Sequence, residues 1–249
     1  MGIIIKSPGE IEMMRKAGRV VDMILQELAS SLKPGMRTEE LDVIAVRELE
    51  RHGATSSFRG YRGFPASVCV SVNEELVHGI PGKRVLHEGD IVSLDFAAAV
   101  DGFHGDAART VGVGAIAPEA QALIDATRGA LDAGIAAAYS GARLGDVSAA
   151  IQAFAEARGF SVVREYVGHG IGRQMHEEPQ VPNFGPAGRG PLLEKGMALA
   201  LEPMLNAGGW RTRVADDNWT VMTADGRLCA HFENTIAVGD GESEILTKA

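Results

Sequence analysis

The chain repeats itself. Gly35, Arg37, Ile44, Arg51, Gly53, Gly89, Leu94 and Asp95 recur in order as Gly141, Arg143, Ile151, Arg158, Gly159, Gly196, Leu201 and Glu202, each offset by 106 or 107 residues. The best local match sets GDIVSLD against GMALALE, a glycine followed six residues later by an acid across a largely apolar run. A repeat of this size constrains the fold more than any single element does, because each copy must bury its own apolar face and then join the other. Both copies read helix, helix, strands. In the first, Ile11, Met14, Val21, Ile24, Leu25, Leu28 and Leu32 keep a helical period over Gly9 to Leu32, opened by Ser7-Pro8 and closed by Pro34-Gly35. Thr38 to His52 is predicted as the second helix, with Thr38 as N-cap and Gly53 as stop. Pro118 to Tyr139 and Gly145 to Arg158 are their counterparts. Strands are expected at Ser67 to Val72, Asp90 to Ala99, Ala108 to Val113, Ser161 to Glu165, Met197 to Leu205, Trp219 to Thr223 and His231 to Val238. The expected fold is α+β: one domain over 1–249, with halves at about 9–113 and 118–238 related by a pseudo-twofold axis. Their sheets join, helices cover the outside, and a cleft lies between. The segments that match least, around Ala54 to Val77 and beyond Glu202, are expected to wall it.

Composition narrows the function. An apolar content of 45% is enough for a core. A net charge of −9 without a clustered basic patch argues against a direct nucleic-acid function. No run approaches the ~20 apolar residues of a membrane span, and Ile3 to Ile5 is too short for a signal-peptide core. Two cysteines, Cys69 and Cys229, make neither a disulfide framework nor a zinc motif, so a reducing, cytoplasmic setting is expected.

Four acids and one histidine stand in apolar or glycine-bracketed stretches: Asp95 in IVSLDF, Asp106 in FHGDAART, His169 in VGHGIG, Glu202 in ALALEPM and Glu233 in HFENTIAV. A carboxylate carried into a core costs several kcal/mol even after relaxation, so acids at four such places call for shared cations. Four carboxylates balance two divalent ions. Oxygen donors with one imidazole and no thiolate suit Mn or Fe(II), with Co or Zn as replacements. Asp106, eleven residues after Asp95, follows Gly102-Phe103-His104-Gly105, read as the turn of a hairpin that returns it beside Asp95. Glu202 precedes Pro203, which biases it to extended backbone at a strand end. Read alone, an Asp at a strand end caps a turn and a His between glycines belongs to a surface loop; the five together are specific. His78 and His176 lie in Gly- or Pro-bounded turns, where beside metals an imidazole can donate to a reacting group. His104 and His231 read as residues behind the ligands or on the surface, His52 and His87 as solvent-facing. Cys69, in SVCVSVN, reads as core or pocket lining, not as a nucleophile. There is no G-x-S-x-G and no H-E-x-x-H.

These residues resemble the methionine aminopeptidases of the short, type I bacterial kind, whose duplicated fold is called pita-bread. The likeness runs through SPGEIEMMRKAGRV, VCVSVNEELVHGIPG, SLDFAAAVDGFHGDAART, VGHGIGRQMHEEP, ALEPM and HFENTIAV. It implies a pita-bread (creatinase/aminopeptidase-like) fold with a curved, antiparallel-rich sheet. It implies two divalent metal ions (Co, Mn, Fe(II) or Zn) on Asp95, Asp106, His169, Glu202 and Glu233, with Asp106 and Glu233 bridging. The implied reaction is hydrolytic removal of the initiator methionine from nascent chains with a small second residue. In it Glu202 is the proton shuttle, His176 stabilises the oxyanion and His78 contacts the scissile amide. Tyr61, Phe64, Cys69, Met175 and Trp219 match the methionine pocket. Three positions depart from the pattern. Met175 stands where many relatives carry phenylalanine, Phe58 where some carry a smaller residue, and Asn234 where a histidine is common, which puts bonding behind Glu233 in question. The short span from His169 to Glu202 resembles type I, not type II.

Two rival readings remain. The proline-directed aminopeptidase P and prolidase branch carries a sizeable N-terminal domain, for which a first helix starting near residue 9 leaves no room. A metal-free relative that only binds a partner would not need five retained donors. A monomer is expected. No zinc-finger extension precedes Ser7, so any ribosome association would use the catalytic domain. Met1-Gly2 is itself a start that such an activity accepts, and self-processing is expected.

Overall fold

Helix α1 (Pro8–Ser31) begins at Pro8 because the residues before it close a capping box. Ser7 Oγ accepts from the Glu10 amide at 3.3 Å, and the Glu10 carboxylate accepts from the Ser7 amide at 3.0 Å. Met14, Val21, Ile24, Leu25 and Leu28 form its buried stripe. Helix α2 (Thr38–His52) has the expected bounds, but its N-cap is Arg37. Glu40 accepts from the Arg37 amide at 2.7 Å, while the buried Thr38 hydroxyl is taken by Gly82, donating to its carbonyl and accepting from its amide. A tertiary contact has displaced the local cap. The computed structural model describes residues 2–248; Met1, where self-processing is expected, lies outside the described residues.

The second copy reuses the same devices. Helices α3 (Pro118–Ala137) and α4 (Leu144–Glu156) follow, and Asp146 accepts from the Arg143 amide at 2.8 Å as Glu40 does from Arg37. Gly35 and Gly141, both at left-handed φ (88° and 98°), donate to the Leu86 and Leu193 carbonyls. Leu86 and Leu193 return the bond to Met36 and Ala142. A side chain at either glycine would strain that turn.

All strand pairs are antiparallel, and nine strands form the main sheet among the described residues. Its centre is a hairpin of Ile91–Val100 and Phe103–Gly112. The hairpin turn is Asp101-Gly102, both at positive φ (51° and 78°), and not the Gly-Phe-His-Gly stretch expected from sequence. Two left-handed residues match the twist of a two-residue hairpin, so Phe103 already belongs to the strand. Glu233–Ala237 pairs with Phe103–Gly112, Ala198–Leu201 with Glu233–Ala237, and Gly168–Gly170 with Ala198–Leu201. The runs expected at Met197 to Leu205 and His231 to Val238 each break. Pro203 cannot donate to a ladder, so the chain leaves the main sheet after Leu201, and Met204–Asn206 pairs with Cys229–His231 instead.

Strand alternation then separates core from site. Leu94 and Phe96 turn toward α1 and α2, packing with Ile24, Leu25, Leu28 and Leu41. In the second copy Leu199, Leu201 and Ile236 pack with Leu123, Leu131, Val147 and Ile151 of α3 and α4. The opposite sheet face carries Asp95 and the other acids. Close approach of the C-terminal segment to α1 depends on Gly18, where an added Cβ would stand 2.1 Å from the Leu246 carbonyl oxygen. Gly18→Ala is therefore expected to destabilise by about 1–3 kcal/mol. Gly9→Ala, in open space on the same helix, should be neutral or stabilising by up to about 1 kcal/mol. Urea unfolding of the two variants measures the contrast.

Candidate metal centre and active-site cavity

Register puts the acids together. Asp95 is directly opposite Ala108, and Ala108 is directly opposite Glu233, so two acids on neighbouring rows flank one small residue. Asp106 faces Ala97, two residues along from Asp95 on the same face, which makes it a diagonal neighbour. Its backbone is held by Thr235, whose hydroxyl accepts from the Asp106 amide (3.0 Å) and donates to the Asp106 carbonyl (2.8 Å). Glu202 follows the strand residue Leu201, itself opposite Asn234.

His169 reaches the group because Gly168 and Gly170 let three strands close in around it. A Cβ on Gly168 would lie 2.3 Å from the Ala200 carbonyl oxygen, and one on Gly170 2.2 Å from that of Glu178. His169 Nδ1 donates to the Gly170 carbonyl at 2.9 Å, which leaves an Nε2 lone pair facing Asp106 (3.8 Å) and Glu202 (3.7 Å). Donor atoms of Asp106, His169 and Glu233 all lie within 4.8 Å of one another, a spacing that fits one ion.

The electrostatics demand a counter-charge. Asp95, Asp106, His169 and Glu233 are between 3% and 8% exposed. Among the described residues no Lys or Arg pairs with any of the four acids; the imidazoles of His169 and His231, within 4 Å of Asp106, Glu202 and Glu233, are neutral and supply no counter-charge. Asp95 Oδ1, Asp106 Oδ1 and Glu233 Oε1 are buried without a hydrogen bond. Burial, and then the neighbouring carboxylates, push Asp95, Glu202 and Glu233 well above the usual carboxylate range. Burial takes Asp106 to about 7. Burial also lowers His169 to about 3, with the charge of His176 adding to it. A neutral imidazole with a free lone pair and orphaned oxygens in one cluster fit a hard or borderline divalent cation.

The acids floor a cavity of about 210 Å³. Tyr61, Phe64, Cys69, Met175 and Trp219 all line it, as does Phe58. Phe64 meets Trp219 edge-on at 5.1 Å and Phe58 at 6.3 Å, so aromatic edges stiffen one wall while Met175 leaves the other adaptable. The Cys69 thiol is pushed well up by burial and by Asp95, Asp106 and Glu233, which rules against a thiolate nucleophile.

His78 and His176 border the same cavity. His78 sits at φ 59°, held beside Gly79, whose amide donates to Ser71 Oγ at 3.1 Å and whose carbonyl accepts from Val70. Burial lowers its pKa. His176 stacks on Tyr61 at 5.4 Å, with the Tyr61 hydroxyl 3.0 Å from Nδ1. Burial first, then Arg62, His78 and His104, lower it to about 4, so both imidazoles are neutral at pH 7.

Other histidines divide as the structure dictates. His87 is exposed, His52 lies by Glu48, and half-buried His104 bonds Ser57 at 2.7 Å. His231, which sequence left between surface and ligand backing, is buried with Nε2 3.9 Å from both Glu202 and Glu233. Period-two alternation from Glu233 was the available signal. Asn234 points to the other sheet face and accepts from Thr247 at 2.9 Å, so it makes no bond to Glu233. Arg62, Tyr166 and Val167 also line the cavity and were not singled out from sequence. The aromatic three residues before His169 was the cue for Tyr166.

The model of metallopeptidase family M24 matches residues 12–240. A methionine aminopeptidase of Clostridium perfringens is 54% identical over 245 residues, covering 98% of each chain. The crystal structure of methionine aminopeptidase from Thermotoga maritima superposes with a TM-score of 0.98 at 46% identity, covering 100% of both chains. Prolidase from Pyrococcus furiosus matches with a TM-score of 0.81 at 20% identity, the chain spanning 66% of its length, which is a likeness of fold. With the pita-bread sheet, the clustered acids and these identities together, the chain belongs to metallopeptidase family M24, among its methionine aminopeptidases.

Proposed function

We propose that this chain removes the N-terminal methionine from nascent polypeptides whose second residue is small. The observation that carries the reading is a set of orphaned, buried carboxylate oxygens at the floor of an apolar slot. Asp95, Asp106, His169, Glu202 and Glu233 would hold two divalent cations (Mn, Fe(II), Co or Zn), which would supply an acidified water and a polarised peptide carbonyl.

The chain's own residues do the rest. The methionine side chain fills the slot between Phe64, Trp219, Cys69 and Met175, which sets the scissile bond above the acids. Glu202 takes the proton of the attacking water and returns it to the leaving amine. With the Tyr61 hydroxyl donating to Nδ1, the His176 ring proton stands on Nε2 and is available to the developing oxyanion. His78, held neutral by burial, contacts the scissile amide. A neutral donor serves an oxyanion without repelling the cations beside it. A monomer is the proposed working unit. Buried free thiols at Cys69 and Cys229 suit the cytoplasm.

Three experiments test the reading, the first on turnover. Metal-free protein titrated with Mn, Fe(II) or Co gains turnover of Met-Gly-Ser and not of Ala-Pro peptides. Glu202→Ala lowers kcat by about 10²–10⁴. Proline-directed turnover, or an unchanged kcat in the variant, overturns the reading.

The pocket wall gives the second. Met175→Ala enlarges the slot and should lower kcat/KM for Met-Gly-Ser by about 10–200-fold, with less loss for a bulkier first residue. Steady-state kinetics on the two substrates compare them.

The third is a pH dependence. A carboxyl whose folded pKa is raised holds its proton in the native state, so its contribution is fully present below the unfolded value near 4 and is lost as pH rises through about 7, the Asp106 value. Metal-free protein should therefore lose on the order of a few kcal/mol across that window. Bound Mn should remove the slope. Melting curves in EDTA and in Mn from pH 4.5 to 8 measure it; equal slopes count against cation neutralisation of the acids.

A further inference from the structure

We infer that His231 is a positioning residue for the metal centre. Its Nε2 stands 3.9 Å from the Oε2 atoms of both Glu202 and Glu233, and its N–H closes on whichever of them a bound cation leaves free, holding the other oxygens toward the cavity. The inference deepens the metal-centre reading above and rests on it.

His231 is 1% exposed, and neither ring nitrogen has a hydrogen-bond partner within the chain. An imidazole always carries at least one N–H, and a buried N–H without an acceptor is costly. The carboxylate oxygens recorded beside the ring are Glu202 Oε2 and Glu233 Oε2, both 3.9 Å from Nε2. Glu202 is thus addressed from two sides, with Oε1 3.7 Å from His169 Nε2 and Oε2 toward His231.

The ring is aimed by backbone, not by a loop. Cys229–His231 pairs with Met204–Asn206, immediately after Glu202. The His231 amide donates to Thr110 Oγ1 at 2.9 Å, and that hydroxyl donates to the His231 carbonyl at 2.8 Å. Ser93 Oγ stands 2.7 Å from Thr110 Oγ1, which ties this anchor to the central hairpin. His231 and Glu233 flank Phe232, which packs into the cluster under α3 and α4, and their side chains meet away from it, Nε2 3.9 Å from Glu233 Oε2.

Spacings near 3.9 Å also separate donors that share an ion, so a direct nitrogen ligand is the competing role. Cavity lining decides between them. Asp95, Asp106, His169, Glu202 and Glu233 all border the cavity, and His231 does not. It stands behind the carboxylates, where a group can hold a ligand but cannot meet what the cavity admits. A carboxylate that binds a cation through one oxygen accepts an outer N–H at the other, and loss of such a donor typically weakens metal binding about 10–100-fold.

The test uses Mn affinity by calorimetry, with kcat and KM for Met-Gly-Ser at saturating Mn. His231→Leu, which removes the donor, should weaken Mn binding about 10–100-fold while KM stays within about twofold. His231→Gln, whose amide can donate from a similar reach, should recover most of that affinity. Equal affinity in His231→Leu and wild type overturns the proposal, as does equal loss in both variants. Nitrogen-15 NMR of the wild-type Zn-loaded protein reads the ring directly and is independent of variant folding. The Nε2–H tautomer is expected for His231, and an Nδ1–H tautomer with Nε2 on the ion overturns the inference. Wild-type protein that binds neither Mn nor Zn overturns the metal centre itself and this inference with it, a result distinct from any difference between variants.

Discussion

Like charges gathered on one sheet face are the constraint to which the rest of the structure answers. Asp95 and Glu233 flank Ala108, and Asp106 stands diagonally from Asp95 beside Ala97. Bulk at either alanine would wedge the acids apart. Brought this close and buried, they repel one another and lose their hydration, a cost of several kcal/mol per ion. Two states relieve it: proton uptake, which the raised carboxyl pKa values express, or cation binding. The first suits a folded chain awaiting metal, and the second suits chemistry at neutral pH. A protein that met this cost only for packing would do better with apolar side chains of the same volume.

The duplication supplies the means. One copy alone offers Asp95 and Asp106 on a hairpin, too few donors to neutralise an ion pair. The second copy brings His169, Glu202 and Glu233 on strands continuous with that hairpin. Joining the sheets edge to edge at Phe103–Gly112 and Glu233–Ala237 makes the centre a property of the junction. Each helix pair then needs to cover only its own half, which is why two separate apolar clusters form and the face between them stays free for the site.

Much of this was legible in the sequence, for a physical reason: an acid in an apolar strand run is an anomaly that propensity does not explain. The gathering of four acids and His169 at one cavity, the four helices and the hairpin all follow from patterning. The turn did not. Gly102 to Gly105 looked like the reversal, yet Asp101-Gly102 makes it, since two left-handed residues satisfy the strand twist and a four-residue turn is not needed. Thr38 failed as a cap because a neighbouring loop claimed its hydroxyl, and no local rule sees residue 82 from residue 38. His231 is ambiguous in sequence because the ladder changes sheets at Phe232, so strand alternation from Glu233 alone does not fix where its ring goes. Arg62 and Tyr166 come from irregular segments whose paths no periodicity encodes.

The site also divides by the kind of backbone that carries it. Asp95, Asp106, His169 and Glu233 ride on paired strands, and Glu202 one residue past a strand end, where ladder bonds fix each Cα and small neighbours set the spacing. Most side chains of the proposed methionine slot, with Cys69 on its strand as the exception, are held differently. Tyr61 belongs to a short helical turn, His78 to a left-handed position, Met175 and His176 to a bend, and Trp219 to a loop. Strands cannot be adjusted singly, because a one-residue slip turns a whole face away from the cavity. Turns can be. Selectivity for the first residue of a substrate can therefore drift through Phe58, Met175 or Trp219 without disturbing the acids, whereas a change at Ala97, Ala108, Gly168 or Gly170 acts on every donor at once. Met175 and Phe58 fall on the adjustable side of that division, and the clustered acids with His169 fall on the other.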